Sequence, residues 1–198
     1  MSYQTCGDPF NQRPDPPCET IQCRFSPASI WVLAIIITII LVIVGSLLHQ
    51  LYSWTGDNRT VGYFAPVNES VWEHLKLIYI PFIVAGLILW FFIGQNTQNY
   101  IYALALAVLI ACIFIVVVFY AYTGATGLES IVVDIIIFIL AVILGVWIFY
   151  WAITQPAFPN WTLFLGWIIL ISLGIALLVF TYNPPSIPLF TDPTANEL

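Results

Sequence analysis

Hydrophobic residues fall into five long runs that are separated by short polar or proline-containing segments. The runs extend approximately from Ile30 to Leu51, Val71 to Gly94, Tyr100 to Tyr122, Ser130 to Trp151 and Trp161 to Tyr182. A helix rises about 1.5 Å per residue, so each run is long enough to cross the roughly 30 Å hydrocarbon core of a bilayer. The pattern therefore predicts an all-α fold, an integral membrane bundle of five transmembrane helices.

Proline positions mark the same boundaries. Of the 13 prolines in the chain, only Pro81 falls inside a run. Proline lacks a backbone N–H and clashes with the preceding helical turn, so the others are typical of segments between helices. Pro81 predicts a kink in the second helix, which a membrane helix tolerates when its neighbours satisfy the freed carbonyl.

The chain divides into a polar N-terminal segment (1–29), a transmembrane domain (30–182) and a proline-rich, extended C-terminal tail (183–198). An odd number of spans places the two ends of the chain on opposite sides of the membrane. We call the N-terminal side A and the other side B. Arg24 lies close to the first span, and the positive-inside tendency then favours a cytoplasmic N-terminus. In the tail, we expect Leu189 and Phe190 to fold back over the polar residues of side B or over an adjacent helix, and so to cover those polar residues from water.

Composition and charge agree with a membrane protein. The 198 residues are 61% hydrophobic and 7% charged, which is far from the composition of a soluble domain. A net charge of -6 lacks the basic footprint of a nucleic-acid-binding protein, so the expected partners are membrane lipids. Cys6, Cys18 and Cys23 form an N-terminal group whose spacing matches none of the common zinc patterns. The group allows one disulfide with a thiol left over, a partial metal site, or neither.

Ionisable residues within the spans all fall near side B. Charged groups are costly in hydrocarbon, so each should face protein or a water-filled cavity. His49 closes the first span, Glu73, His74 and Lys76 open the second, and Asp134 lies one turn into the fourth. At about 100° per residue, the polar residues of each helix end share one arc. We therefore predict one polar pocket that opens to side B.

Local helix capping explains part of this cluster without any function. Asn68 is a favourable N-cap, the stretch from Ser70 to Glu73 matches a capping box, and acids in a first turn suit the helix dipole. Glu73 also lies three residues before Lys76, close enough for an ion pair. Capping does not account for His74 and Lys76, because cations at a helix N-terminus oppose the dipole. Asn68, Ser70 and Lys76 are counted with the pocket.

Two classes of chemistry fit the pocket. In the first, His49, His74 and Asp134 hold a zinc ion with an open position, and Glu73 or Glu69 acts as general base on the metal-bound water. The substrate would be an ester, amide or phosphate group of a lipid that arrives from the bilayer. In the second, the same cluster is a proton or ion relay in a small transporter or channel. A third possibility is a non-enzymatic assembly protein of a membrane or virion, in which the cluster locks helix packing.

One segment of the chain resembles a known family. The eleven residues from Pro66 to Lys76 are similar to a PVNES-x-WEHLK segment found in small, uncharacterised polytopic membrane proteins. The resemblance extends to His49-Gln50-Leu51-Tyr52 and to the tail from Pro184 to Pro193, and it covers the chain from about residue 45 onward. The ending at Leu198 departs from the family pattern, in which relatives tend to continue with Tyr-Gly. The resemblance implies a polytopic membrane fold and an important motif, without supplying a reaction.

A more distant resemblance concerns architecture alone. Members of the alkaline ceramidase and progestin-receptor-like superfamily are membrane zinc hydrolases that draw His, Asp and Ser from helix ends at one membrane face. This chain has two histidines, where that superfamily uses three as zinc ligands, and five predicted spans in place of seven. The comparison implies a possible type of site and no specific activity.

Overall fold

The computed structural model describes residues 27–192, apart from the side chains of residues 27–30 and of Asn96. This part of the chain forms helices and turns and contains no strand. The helices are α1 (Pro27–Trp54), α2 (Arg59–Gly62), α3 (Val71–His74), α4 (Lys76–Phe92), α5 (Tyr100–Thr126), α6 (Ile131–Ile153) and α7 (Trp161–Tyr182), with 3-10 turns at Gly94–Asn96 and Pro188–Phe190. The cysteine-containing N-terminal segment and residues 193–198 lie outside the described residues.

Five helical segments in the described part of the chain are long and apolar enough to cross a membrane, as a multi-pass integral membrane protein requires. They are α1, α3 together with α4, α5, α6 and α7, so the predicted fold class is confirmed. Helix α1 begins about one turn earlier than predicted, with Pro27 as its first residue. Proline suits this position because the N–H of a first helical residue has no partner within the helix. Helix α5 ends at Thr126 and is capped by Gly127. Glycine readily adopts the φ of 69° found there, and the Gly127 N–H donates to the Thr123 carbonyl at 2.8 Å.

The second span is tightened at Leu75, between α3 and α4, where the Leu75 N–H donates to the Trp72 carbonyl at 3.1 Å and the backbone keeps right-handed helical angles (φ −62°, ψ −23°). Helix α4 then runs continuously through Pro81. Proline at this position removes the N–H that would bond the Leu77 carbonyl. Helix α1 approaches the same carbonyl at Gly45, where a Cβ atom would lie 3.1 Å from the Leu77 oxygen. The kink expected at Pro81 stays a prediction.

Helix α5 lies at the centre of the bundle. It packs against α4, α6 and α7, while α1 packs against α4 and α6. The alanines of α5 at positions 103, 105, 107 and 111 are fully buried, and small residues allow membrane helices to approach closely. Gly166 of α7 lies close to the α5 backbone, because a Cβ atom there would lie 3.0 Å from the Tyr102 Cα. The outer faces of α1 and α7 remain exposed and are left to lipid.

Asn99 joins the two connections on side A. Its side-chain amide donates to the carbonyls of Ala152, Gln155 and Pro156 at 3.0–3.3 Å, and its Oδ1 accepts from the Phe158 N–H at 2.9 Å. The residue is only 5% exposed. One buried side chain therefore fixes the start of α5 to the connection between α6 and α7.

The tail folds back onto the second span. The Phe190 ring lies 4.8 Å from the Trp72 ring and 5.5 Å from the Phe180 ring, measured between centroids. Leu189 packs against the main hydrophobic core. This confirms the expectation that the tail contacts an adjacent helix, and the contact is to Trp72, on the arc of the second span opposite its polar residues.

Candidate functional site

A buried ion pair fastens the loop between α1 and α3 to the second span. Lys76 Nζ lies 2.6 Å from Glu73 Oε2, and the two side chains are 0% and 3% exposed. The ammonium also donates to the carbonyls of Gly62 at 2.8 Å and Ala65 at 3.4 Å. Glu73 Oε2 accepts a further hydrogen bond from the Val67 N–H at 3.0 Å. The predicted pair is confirmed, and its additional role of anchoring the loop backbone was not visible in the sequence.

Two short polar residues shape the turn that enters α3. Ser70 is the N-cap, since its Oγ accepts from the Glu73 N–H at 3.3 Å. Asn68 Oδ1 accepts from the Ser70 N–H at 3.1 Å and so closes the turn one step earlier. The N-cap of α3 is therefore Ser70, as the capping-box pattern indicates, and not Asn68. This turn carries Glu69 at the entrance of the helix, beside the end of α1.

Three side chains converge at side B. Among the described residues, His49, Glu69 and His74 form the group whose possible ligand atoms all lie within 4.8 Å of one another. The two histidine Nε2 atoms are 3.2 Å apart, and each lies 3.4 Å from Glu69 Oε2. The histidine side chains are 29% exposed and that of Glu69 is 49% exposed. The group is therefore partly sheltered and reachable from side B.

The hydrogen bonds behind the histidine rings determine which ring atoms face the group. His74 Nδ1 lies 2.8 Å from the Ser70 carbonyl, which can only accept, so Nδ1 carries the hydrogen and the neutral ring presents the Nε2 lone pair. His49 Nδ1 lies 3.2 Å from the Gln50 side-chain nitrogen, which donates, so Nδ1 accepts and Nε2 of the neutral His49 ring carries the hydrogen. That N–H points to the His74 Nε2 lone pair at 3.2 Å, and binding of a metal would require the other His49 tautomer. Such outer hydrogen bonds orient histidines that bind metals.

Glu69 supplies negative charge to the group. Hydrogen bonds from His49 and from His74, donated by Nε2 when the rings are protonated, hold the pKa of its carboxyl well below the ordinary value of 4.5. The carboxylate is therefore ionised at neutral pH. An anionic oxygen and two imidazole nitrogens so close together need protons or a cation between them.

The triangle of these atoms has the dimensions of a zinc site. Zinc bonds of about 2.0–2.1 Å in a tetrahedron place neighbouring ligand atoms about 3.3–3.4 Å apart. An octahedral ion with bonds of about 2.0–2.1 Å places them about 2.9 Å apart. The observed separations of 3.2, 3.4 and 3.4 Å are hydrogen-bond and ion-pair distances and lie nearer the tetrahedral edge than the octahedral one.

Asp134, on α6, is held by a tyrosine of α5. Its Oδ1 accepts a hydrogen bond from the Tyr122 hydroxyl at 2.6 Å, and that hydroxyl in turn accepts from the Ser130 N–H at 3.4 Å. The assignment of Asp134 as a metal ligand stays a prediction, since the converging group contains Glu69 in that place. Tyr122 was not predicted, although its position at the side B end of the third span was an available signal.

Comparisons with known proteins identify one matching family. Neither curated proteins nor solved structures include a match to the chain. The architectural resemblance to the alkaline ceramidase superfamily is therefore unsupported. The sequence match to a family extends over residues 22–197, which includes the segment from Pro66 to Lys76 and begins earlier than expected. The chain belongs to this family, DUF6512, a family of unknown function.

Proposed function

We propose that His49, Glu69 and His74 bind one zinc ion and that the protein is a membrane-embedded, metal-dependent hydrolase acting on a lipid. The observation that carries this proposal is the triangle of two Nε2 atoms and one carboxylate oxygen with tetrahedral edge lengths. Two histidines and a carboxylate are the ligands of several zinc hydrolases. The same ligands also serve non-haem iron, so the bound metal has to be identified by analysis.

The proposed chemistry follows from the open vertex. Zinc lowers the pKa of a bound water to about 7, so a nucleophile is available at neutral pH. Glu69 serves as a ligand in this scheme, and Glu73 is held in the pair with Lys76. Asp134, which accepts a hydrogen bond from Tyr122, would take up the proton from the water. The location near the helix ends suits a substrate whose reacting group lies at the level of lipid headgroups.

Metal analysis of detergent-purified protein tests the proposal. After incubation with zinc and removal of excess metal, we expect about one zinc per chain in the wild type and none in His74→Ala. Tyr122→Phe is the matched control, because it changes the neighbouring hydrogen bond and keeps all three ligands. A wild-type protein that retains no zinc under these conditions would falsify the zinc site. Release of fatty acid from lipid vesicles by the zinc-loaded wild type then tests for hydrolysis.

The direct contact between the histidines favours a second candidate function. The Nε2 atoms are 3.2 Å apart, a hydrogen-bond distance at which the two rings share a proton. A proton relay in a small transporter would use this pair without any metal. Proton flux into proteoliposomes by zinc-free protein, lost in His49→Ala, would support the relay in preference to the hydrolase.

A further inference from the structure

A cavity of about 80 Å³ lies beneath the N-terminal half of α1, in the part of the bundle nearer side A. Side chains from residues 33–41 of α1, 82–93 of α4 and 146–153 of α6 surround it, and Leu104 of α5 completes the lining. Among the lining residues, only Tyr150 carries a polar side-chain group. The cavity is therefore an apolar space at the depth of the hydrocarbon core.

The cavity opens on the lipid-facing surface beside α1. Leu33 at its rim is 40% exposed and Ala34 is half-buried, whereas Leu41 and Leu104 form part of a buried inner wall. The Trp31 ring lies 5.4 Å from the Tyr150 ring, and rings of this kind prefer the headgroup level of a bilayer. A lipid chain can thus enter laterally from the side A leaflet without crossing a polar barrier.

Small residues create this space without closing it. Small residues normally allow membrane helices to approach closely, and α1 approaches α4 in this way at Gly45, beside the Leu77 carbonyl. At Ala34 of α1 and at Ala85 and Gly86 of α4, the two helices instead leave a gap. An empty gap deprives every lining atom of contacts on one side, and an apolar occupant restores them.

Water and protein segments are poor occupants of the cavity. Buried water typically makes about three hydrogen bonds, and this lining offers one phenol. A helix of a second copy is about 10–12 Å across and is far too bulky for the volume. The N-terminal residues 1–26 contain charged side chains that are costly in hydrocarbon, namely Asp8, Arg13, Asp15, Glu19 and Arg24.

The dimensions of the cavity suit one hydrocarbon chain. A group of the size of water needs about 10–15 Å³ of such a cavity, and a methylene group is of similar size, so about five to eight methylene groups fit. The lining extends along α1 from Leu33 to Leu41, which is about 12 Å of helix. The space is therefore narrow and runs along the helices, as lipid chains do.

The cavity is separate from the histidine group at side B. Its nearest lining residues on α1 and α4 are Leu41 and Phe82, about 12 Å along their helices from His49 and His74. Between the two sites, the Phe138 ring and the Leu77 carbonyl occupy the space beside Gly45. The cavity is thus independent of the proposed zinc centre.

We propose that this cavity binds one hydrocarbon chain of a phospholipid from the side A leaflet, with the headgroup at the level of Trp31 and Tyr150. The contacts that hold the lipid are made by its chain. The side A connections, residues 93–99 and 154–160, contain no charged residue that would bind a headgroup.

Photocrosslinking in lipid vesicles tests this site. The protein is reconstituted in phosphatidylcholine, a fraction of which carries a diazirine in the middle of one acyl chain, and peptide mass spectrometry locates the attachments after irradiation. We expect labelling of the buried inner-wall residues Gly86 and Leu104. Ile168, which is exposed on α7, is the internal reference because lipid around the protein reaches it directly.

Variants that fill the cavity provide matched controls. Ala85→Phe places a ring in the cavity, whereas Val84→Phe places the same ring on the exposed outer face of α4. We expect Ala85→Phe to lower inner-wall labelling relative to Ile168 at least about fivefold, and Val84→Phe to leave it unchanged. Ala34→Phe and its exposed neighbour Ile35→Phe make the same comparison on α1, so the test does not depend on the folding of one variant.

Three results would overturn the proposal. The first is labelling of Ile168 without labelling of Gly86 and Leu104. The second is inner-wall labelling that persists in both Ala85→Phe and Ala34→Phe. The third is inner-wall labelling by a free fatty acid that carries the same diazirine but not by the phosphatidylcholine, which would exclude a bilayer phospholipid as the occupant. Each of these results leaves the proposed zinc site unaffected.

Discussion

Replacing Lys76 by methionine removes the charge from the most deeply buried ion pair in the described part of the protein. Methionine retains most of the length of the lysine side chain but has no donor. Glu73, with a side chain 3% exposed, would keep the Val67 N–H as its partner, and the Gly62 and Ala65 carbonyls would lose the ammonium. Breaking one side of a buried pair costs about 3–5 kcal/mol, because an uncompensated charge remains. We expect the free energy of unfolding to fall by that amount.

Unfolding in mixed micelles of SDS and a mild detergent, followed by tryptophan fluorescence, measures this loss. The double variant Glu73→Gln/Lys76→Met has no unpaired charge and should be more stable than Lys76→Met by about 1–2 kcal/mol. Asp57→Asn, which changes an exposed charge on the same side, should stay within about 0.5 kcal/mol of the wild type. A loss below about 1 kcal/mol for Lys76→Met, or a double variant no more stable than the single one, would refute this account of the pair.

Three further predictions concern the carboxylate, one helix contact and the tail. Because the pKa of Glu69 is lowered in the folded protein, its ionised form stabilises the metal-free fold above about pH 4.5, and this contribution is lost as the pH falls. The difference in unfolding free energy between wild type and Glu69→Gln should therefore shrink on acidification, and a difference independent of pH contradicts this. Gly166→Ala should lower the free energy of unfolding by about 1–3 kcal/mol, because the new methyl group meets the α5 backbone. Gly124→Ala, where the methyl group would have no atom within 4 Å, should be neutral or stabilising by up to about 1 kcal/mol. Equal melting temperatures for the two variants count against the close contact. Phe190→Ala should cost about 1–2 kcal/mol through its lost ring contacts, and the exposed Ile187→Ala should cost less than about 0.5 kcal/mol in the same thermal melts; similar losses exclude a specific tail contact.

The transmembrane fold was predictable because its signals are strong and local. Long apolar runs and proline positions are properties of consecutive residues, and they located the five spans to within about one turn at most ends. The tightened turn at Leu75 was not predicted, since the residues on both sides continue the same helical pattern. The kink at Pro81 stays a prediction.

The site was predictable only in part because one of its members precedes a helix. Helical phase correctly placed His49 and His74 at the same end of neighbouring helices, and they lie in contact. Glu69 was treated as a member of a helical arc, but its position depends on the turn closed by Asn68 and Ser70. Such a turn is fixed by a few side-chain hydrogen bonds and has no periodic pattern. The partnership of Asp134 with Tyr122 likewise depends on how α5 and α6 pack, which spacing along one helix does not specify.

The Asn99 side chain also has a consequence for the order of assembly during synthesis. Its four partners follow it in the chain by 53 to 59 residues. At translation rates of about 5–20 residues per second, they emerge roughly 3–12 s after Asn99 itself. During that interval the amide must be solvated at the membrane surface, because leaving it unbonded in an apolar environment is costly. The α4 and α5 helices therefore enter the membrane as an unclamped hairpin, and arrival of the connection between α6 and α7 closes side A of the bundle.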